Sequence, residues 1–450
     1  MKRILHAALL CLTLAATAAA QDADRFDQVV QTYVARNQFM GAVLVARDAA
    51  IVFSRGYGSA NLEWNIPNDA TTKFRLGSLT KQFTAASILL LEERGKLSVD
   101  DRVKKYLPDA AAAWDAITIR HLLTHTAGVP NFTAFADYAP TAPFATTPEA
   151  LVARFRDKPL DFAPGDRFSY SNSGYVLLGY LIEKISGGSY EAFLQQNIFT
   201  PLGMKDSGYD SNSAVIPRRA SGYLPGGQTP RNAGFVHMTI PFSAGALYST
   251  AEDLLRWERG LFGGKLISAE SLRKMTTPFK SNYAFGVMAR SNGSRAVVEH
   301  NGGIDGFNTY MAYYPDTKTT IVVLANLNGP ATDQIGPRLG AAAHGDAVPP
   351  PPTTPVVPAR TAITVSPAAL AAFPGTYELQ PGFALVITLE GNQLMAQATG
   401  QPKFPLFAET ATRFFLKVVD AQVDFTRDAR GAVTGLVLHQ GGRDMPAAKQ

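Results

Sequence analysis

The sequence predicts an α/β protein: an antiparallel sheet flanked by helices, with a helical region inserted into it, followed by a small all-β barrel. Three observations predict this. Strand-like runs lie at both ends of residues 21–345, with helical stretches between them. A proline run, Pro349 to Pro352 and on through Pro355 to Pro358, reads as a semi-rigid extended spacer. Past it, short β runs alternate with turn residues, as in a small barrel or sandwich.

The elements follow in order. Lys2 and Arg3 precede an apolar stretch from Ile4 to Ala16, and Ala18-Ala19-Ala20 stands just before Gln21. That charged, apolar, A-x-A order is a secretory signal peptide over residues 1–20 and predicts a periplasmic or secreted product. The run is shorter than the roughly 20 apolar residues a membrane span needs. Cys11, the one cysteine, lies inside it, with Leu10 where a lipid anchor would want a small residue. The mature chain then has no thiol, which excludes disulfides, thiol catalysis and cysteine-bound metals. In the large unit, 21–345, residues 41–45 and 51–57 read as a hairpin. Residues 307–314 and 319–325 read as strands around the turn Pro315-Asp316. Residues 78–94, 174–186 and 251–261 read as helices, with Gly95 and Gly187 where helices commonly stop. A linker spans 346–360. In the small unit, 361–450, residues 384–389, 393–397, 413–418 and 433–438 read as strands.

Composition narrows the function. With 46% hydrophobic and 18% charged residues the chain is neither disordered nor collagen-like. The formal charge of +5 falls to +3 without Lys2 and Arg3, and no basic run exists, so nucleic acid is not an expected partner. No apolar stretch beyond the leader is long enough to span a bilayer. The expected partner is a small-molecule or peptide substrate, and the oligomeric state stays open.

The most informative segment opens at Ser78-Leu79-Thr80-Lys81. From Leu79 to Leu91, eight of thirteen positions are Leu, Phe, Ala or Ile, spread around much of the helix, which predicts burial. Lys81 would sit on its first turn, where an ammonium is costly unless paired or neutralised. Ser78 is three residues earlier on the same face. A desolvated amine can take the hydroxyl proton, and the helix dipole favours the developing negative charge. Ser-x-x-Lys recurs at Ser271-Leu272-Arg273-Lys274, but the charged neighbours Glu270 and Arg273 read as a solvated helix face.

Two further segments complete a candidate site. Tyr170-Ser171-Asn172 follows the turn Pro164-Gly165 and precedes a helix; a phenol can relay protons and an Asn amide can hold both a lysine and a substrate carbonyl. A buried tyrosine and a helix-capping Asn are the plainer readings of that segment. His300-Asn301-Gly302-Gly303 enters the β run from Phe307, where glycines let a substrate lie against backbone N–H groups. His439-Gln440-Gly441 in the small unit is a decoy of the same pattern.

Ser-x-x-Lys, Tyr-x-Asn and His-x-Gly in this order resemble the serine β-lactamase and penicillin-binding superfamily, class C branch. The separations of 92 and 130 residues between Ser78, Tyr170 and His300 are large, so chance agreement is small. The phrases Phe74-Arg75-Leu76-Gly77, Leu122 to Gly128 and Ser249 to Leu254 strengthen the likeness, which covers about residues 25–330. The resemblance implies Ser78 as nucleophile, Lys81 as its proton partner and Tyr170 as the shared acid/base. It implies Asn172 as their orienting group, and backbone N–H groups of Ser78 and Gly303, beside Gly302, as the oxyanion hole. The small unit resembles the lipocalin-like barrel appended to some peptidases of this group.

His300 stands where penicillin-directed members usually carry Lys. An unperturbed histidine is about one quarter charged at pH 7 and almost fully charged at pH 5. Poor turnover of carboxylate-bearing substrates at neutral pH is therefore expected, improving toward pH 5.5. The expected function is an exported acyl-enzyme hydrolase of peptide, amide or ester bonds, including those of D-amino-acid peptides. A carboxylesterase, a β-lactamase and a non-catalytic penicillin-binding sensor are the alternatives. No metal or cofactor is expected: His121 and His125 are spaced i, i+4, but no Glu follows His121, and G-x-S-x-G, P-loop and G-x-G-x-x-G patterns are absent.

Overall fold

The structure is a computed structural model; it describes residues 21–352 and 360–450, apart from 49, 227–228, 294, 381–382, 400–402, 418, 420 and 441–442. The leader and Cys11 lie outside the described residues. The chain divides into two compact units between Pro351 and Pro352.

The first unit is built on a six-stranded sheet. Its strands are β1 (Gly41–Arg47), β2 (Ala50–Tyr57), β3 (Met288–Asn292), β4 (Arg295–Ile304), β5 (Phe307–Tyr314) and β6 (Thr319–Ala325), in the order β3-β4-β5-β6-β1-β2. Every pairing is antiparallel, and β1 joins β6 from Gly41↔Ala325 to Arg47↔Thr319. The two ends of the unit thus make one sheet, and the segment between β2 and β3 is the inserted region. Its main helices are α1 (Thr80–Glu93), α2 (Asn172–Ser186), α3 (Ala251–Phe262) and α4 (Ala269–Thr276); α5 (Ala331–Ala343) follows β6.

Alternation places the core on both faces of the sheet. Ala42, Leu44, Val322 and Leu324 pack with the inserted helices. Val43, Val45, Ile321 and Val323 pack with Phe26 and Val30 of the helix over residues 21–34 and with Ile335 and Leu339 of α5. Period-2 side chains on a central strand buried on both faces require this uninterrupted apolar run. Gly187 closes α2 with φ +77°, the left-handed cap that glycine adopts without strain.

One expectation shifts here. His300-Asn301-Gly302-Gly303 does not lead into the run from Phe307; it lies on a strand of its own, β4, paired with β5. The tight turn Asp305-Gly306 separates the two strands.

The second unit is a closed up-and-down barrel of eight strands: β7 (Gly375–Gln380), β8 (Phe383–Glu390), β9 (Gln393–Ala398), β10 (Lys403–Ala408), β11 (Arg413–Phe415), β12 (Ala421–Arg427), β13 (Val433–Gln440) and β14 (Arg443–Lys449). Closure pairs Tyr377 with Lys449. Tyr377, Leu385, Ile387, Val423, Phe425 and Leu436 are among the residues that fill its interior, with Phe373. A barrel of this strand number is narrow enough for side chains alone to fill.

Candidate active site

Three segments from distant parts of the chain meet at the opening of α1. Gly77–Leu79 forms a 3₁₀ turn that runs into α1, so Ser78 stands where backbone N–H groups have no intrahelical acceptor. Gly77 has φ +53°, and a Cβ there would lie 2.8 Å from the nitrogen of Gly303. A Cβ on Gly302 would lie 2.1 Å from the carbonyl oxygen of Leu76 and 3.0 Å from the nitrogen of Ser78. Only glycine lets β4 lie this close to the serine turn. The contact is pinned by the Thr309 hydroxyl, which donates to Leu76 O at 2.7 Å.

Lys81 is fully buried. Its Nζ lies 3.0 Å from Ser78 Oγ, 2.9 Å from Asn172 Oδ1 and 2.8 Å from the carbonyl oxygen of Ala244. Among the described residues no carboxylate pairs with it, and burial holds its pKa well below the ordinary lysine value. Chemistry then orients the amine. Asn172 Oδ1 and Ala244 O can only accept, so each takes one N–H of Lys81. The third position on the nitrogen faces Ser78 Oγ, to which the ammonium donates and from which a neutral amine would accept.

Tyr170 closes the other side. Its hydroxyl is hydrogen-bonded to Ser78, and burial raises its pKa, with the Ser78 contact opposing. The Lys81 ammonium position is 4.9 Å from the Tyr170 ring centre. Asn172 is not a capping side chain: its Nδ2 donates to Thr133 Oγ1 at 3.2 Å, and its backbone N–H donates to Asn131 Oδ1 at 3.0 Å.

His300 is buried and has both ring nitrogens occupied. Nδ1 lies 2.5 Å from the carbonyl oxygen of Asn301 and Nε2 lies 2.9 Å from the Tyr283 hydroxyl. A carbonyl cannot donate, so Nδ1 carries the proton and Nε2 accepts from Tyr283. Burial, then the charge of Lys81, push the pKa down to about 4, against the backbone contact to Asn301. This corrects the expectation of a histidine that charges near pH 5.5. A neutral imidazole enclosed by tyrosine has no proton to offer a substrate carboxylate across the working pH range.

The remaining candidates separate. His121 Nδ1 accepts from the Thr118 backbone N–H, capping its own short helix. His125 Nδ1 accepts from the Ser171 N–H at 3.1 Å, and its ring lies 4.2 Å from that of Tyr170. It is a buried prop beneath Tyr170, held neutral by desolvation and by Lys81. Ser271 is buried rather than solvated, with its N–H on Ser268 Oγ, while Lys274 pairs with Glu92 at 2.9 Å. His439 bridges Asp424 and Asp444 on the barrel. The sequence reading missed Tyr283, Thr133, the Ala244 carbonyl and the support His125 gives Tyr170. Only His125 had a signal, inside the Leu122–Gly128 phrase. Among the described residues no group of three or more His, Cys, Asp or Glu could hold a metal ion, and no helix is long and apolar enough to cross a membrane.

This fold with this constellation defines a member of the serine β-lactamase and penicillin-binding superfamily. Residues 26–345 match the family described as Beta-lactamase, and the chain belongs to it. Residues 359–448 match a domain of unknown function, DUF3471. The chain is 31% identical to Penicillin-binding protein 4* of Bacillus subtilis (strain 168), over 93% of this chain and 97% of that protein. The crystal structure of a penicillin-binding protein from Bacillus halodurans superposes with a TM-score of 0.63 at 29% identity, covering 70% of this chain and 99% of that one. That of a D-stereospecific amidohydrolase from Streptomyces sp. superposes with a TM-score of 0.62 at 25% identity, over 72% and 99%.

Proposed function

We propose that this protein is an exported serine hydrolase that cleaves amide or ester bonds of small acyl substrates, amino-acid derivatives foremost, through an acyl-enzyme on Ser78. One observation carries the reading: a buried, carboxylate-free Lys81 whose Nζ is held by Asn172 Oδ1 and Ala244 O and lies 3.0 Å from Ser78 Oγ, placed to take its proton when neutral. Ser78 Oγ attacks the carbonyl carbon and its proton passes to Lys81. The carbonyl oxygen, gaining charge, is held by the N–H groups of Ser78 and Gly303. Tyr170 gives its proton to the leaving nitrogen or oxygen as that bond breaks, and Lys81 returns the proton to Tyr170. Water then attacks the acyl-enzyme along the reverse route, and Ser78 regains its proton.

The cleft in front of Ser78 has a volume of about 100 Å³, below the usual range for a small-molecule site, so it takes only a small acyl group. A neutral His300 favours uncharged acyl groups over β-lactams, whose carboxylate would meet no cation there. The D-stereospecific amidohydrolase among the structural neighbours supports including D-amino-acid amides. The leader pattern before Gln21 supports export, and a secreted product beginning at Gln21 by N-terminal sequencing is expected. The decisive experiment is a turnover screen against D- and L-amino-acid amides, short-chain esters and a chromogenic cephalosporin. Turnover of an amide or ester that Ser78→Ala abolishes supports the reading. Labelling of Ser78 without turnover of any substrate would instead make the protein a sensor.

A further inference from the structure

The cleft carries a group that the acyl-enzyme chemistry does not use. Among the described residues that line it, no Lys, Arg or His occurs, and Asp305 is the one carboxylate. Asp305 sits on the β4–β5 turn, two residues beyond Gly303, so it flanks the position of the reacting carbonyl. Phe132 and Tyr138 line the same cleft, and the charge of Asp305 reaches Tyr138, where it raises the phenol pKa second only to burial.

Among the described residues no side chain forms an ion pair with Asp305. Arg75 acts on it through space, but the Arg75 guanidinium is committed to Asp210 at 2.6 Å, which Arg219 shares. Arg154, whose charge also reaches Tyr138, is paired with Asp137 at 2.9 Å. Asp305 is exposed on its turn, so its carboxylate is open to a ligand entering the cleft. A carboxylate beside aromatic side chains is a receptor for a compact cation, which gains a charge-assisted hydrogen bond there, while Arg154 already lies over the Phe132 ring at 5.5 Å from its centre.

We propose that Asp305, with Phe132 and Tyr138, forms a subsite for a protonated primary amine on the acyl part of the substrate, selecting amino-acid amides or esters with a free α-amine. The inference rests on the acyl-enzyme reading for its orientation, since Gly303 and Ser78 fix where the carbonyl sits. The same carboxylate repels a substrate carboxylate, acting in the same direction as the neutral His300.

Binding tests the subsite without turnover. In calorimetric titrations of the Ser78→Ala protein at pH 7, alaninamide of one enantiomer is expected to bind at least about tenfold more tightly than its N-acetyl counterpart. Adding Asp305→Asn is expected to lower that preference about ten- to a hundredfold, the worth of a charge-assisted hydrogen bond. In the Ser78 protein, the kcat/KM ratio of alanine p-nitroanilide to N-acetylalanine p-nitroanilide should fall by the same factor, and Asp305→Lys should shift preference to the succinyl derivative. Equal binding of the two amides, no binding of either enantiomer, or a preference that survives Asp305→Asn would overturn the subsite. A binding preference without turnover of any substrate leaves the subsite standing and removes the hydrolase reading.

Discussion

At Ser78 and at Ser271 the chain repeats one pattern, a serine followed three residues later by a lysine, each in the first turns of a helix. Ser271 is the more buried serine, at 3% exposed, whereas Ser78 is partly open. The lysines differ. Lys81 is enclosed with only neutral oxygens around its nitrogen. Lys274 reaches Glu92 at 2.9 Å and Glu270 at 3.7 Å with a third of its side chain exposed. An ion-paired ammonium has no lone pair to lend, whereas a desolvated amine does. The second difference is the strand: β4 lies against Ser78 through Gly302, and Ser271 meets instead its own cap, Ser268. Chemistry in this pattern comes from the company of the lysine and from a facing backbone.

Ser78→Ala is expected to lower turnover at least about 10⁴-fold and to abolish the mass adduct left by a fluorophosphonate, while Ser271→Ala changes turnover less than about twofold. An adduct on the Ser78→Ala protein would end the distinction. Lys81→Arg should lower kcat about 10³-fold, because a guanidinium keeps its proton at working pH. Lys274→Arg should be silent in the same assay.

The lysines should also separate in stability. The folded pKa of Lys81 lies below its unfolded value, so the unfolded chain binds more protons between the two. Stability from this group is therefore lost as pH falls through that window and regained toward the ordinary lysine range. Lys81→Met should raise Tm at pH 7 by a few degrees while destroying activity, whereas Lys274→Met should cost less than about 1 kcal/mol, the scale of a partly exposed pair. A Lys81→Met protein that melts earlier than wild type would show the amine to be structurally favourable.

Gly302→Ala tests the facing strand: its Cβ would meet Leu76 O at 2.1 Å, and a loss of about 10²-fold in kcat is expected from the displaced N–H donors. The smallest effect is a null one. With His300 at a pKa of about 4, the kcat/KM ratio of a cephalosporin to a neutral ester should stay within about twofold from pH 8.5 to 5.5. A ratio that rises toward pH 5.5 would mean that the imidazole charges in the complex. The stability contributed by neutral His300 is present above about pH 6.5 and is lost as pH falls toward 4.

What the sequence made legible follows from where its signals sit. Ser78 and Lys81 were legible from local spacing on an apolar helix, whereas Tyr170 and Asn172 were legible only through the likeness to the family; all four lie around one amine. Strand β4 was not legible, because Asn301-Gly302-Gly303 has the composition of a turn; only the facing serine turn explains glycine in a paired strand. In the barrel, β10 and β14 contain Pro405 and Pro446, which argue against strands until pairing with Met395 and Val437 is seen. Tyr283 and Asp305 gave no signal, since their meaning is purely spatial: one caps a histidine ring and the other faces an empty cleft.

The pairing of Gly41 with Ala325 also sets an order of events as the chain is made. The hairpin of β1 and β2 emerges early but has no neighbour for its inner edge until β6, the last strand described in the unit, has been synthesised. Closing a loop of that length is slow, and contacts so far apart in sequence raise contact order. The inserted helices have to wait as well, because one wall of their core is the sheet that β6 completes. A nascent chain arrested before residue 319 should therefore lack the native unit and remain sensitive to protease. Release past residue 325 should produce protection in one late step, leaving an interval in which the chain is still threadable.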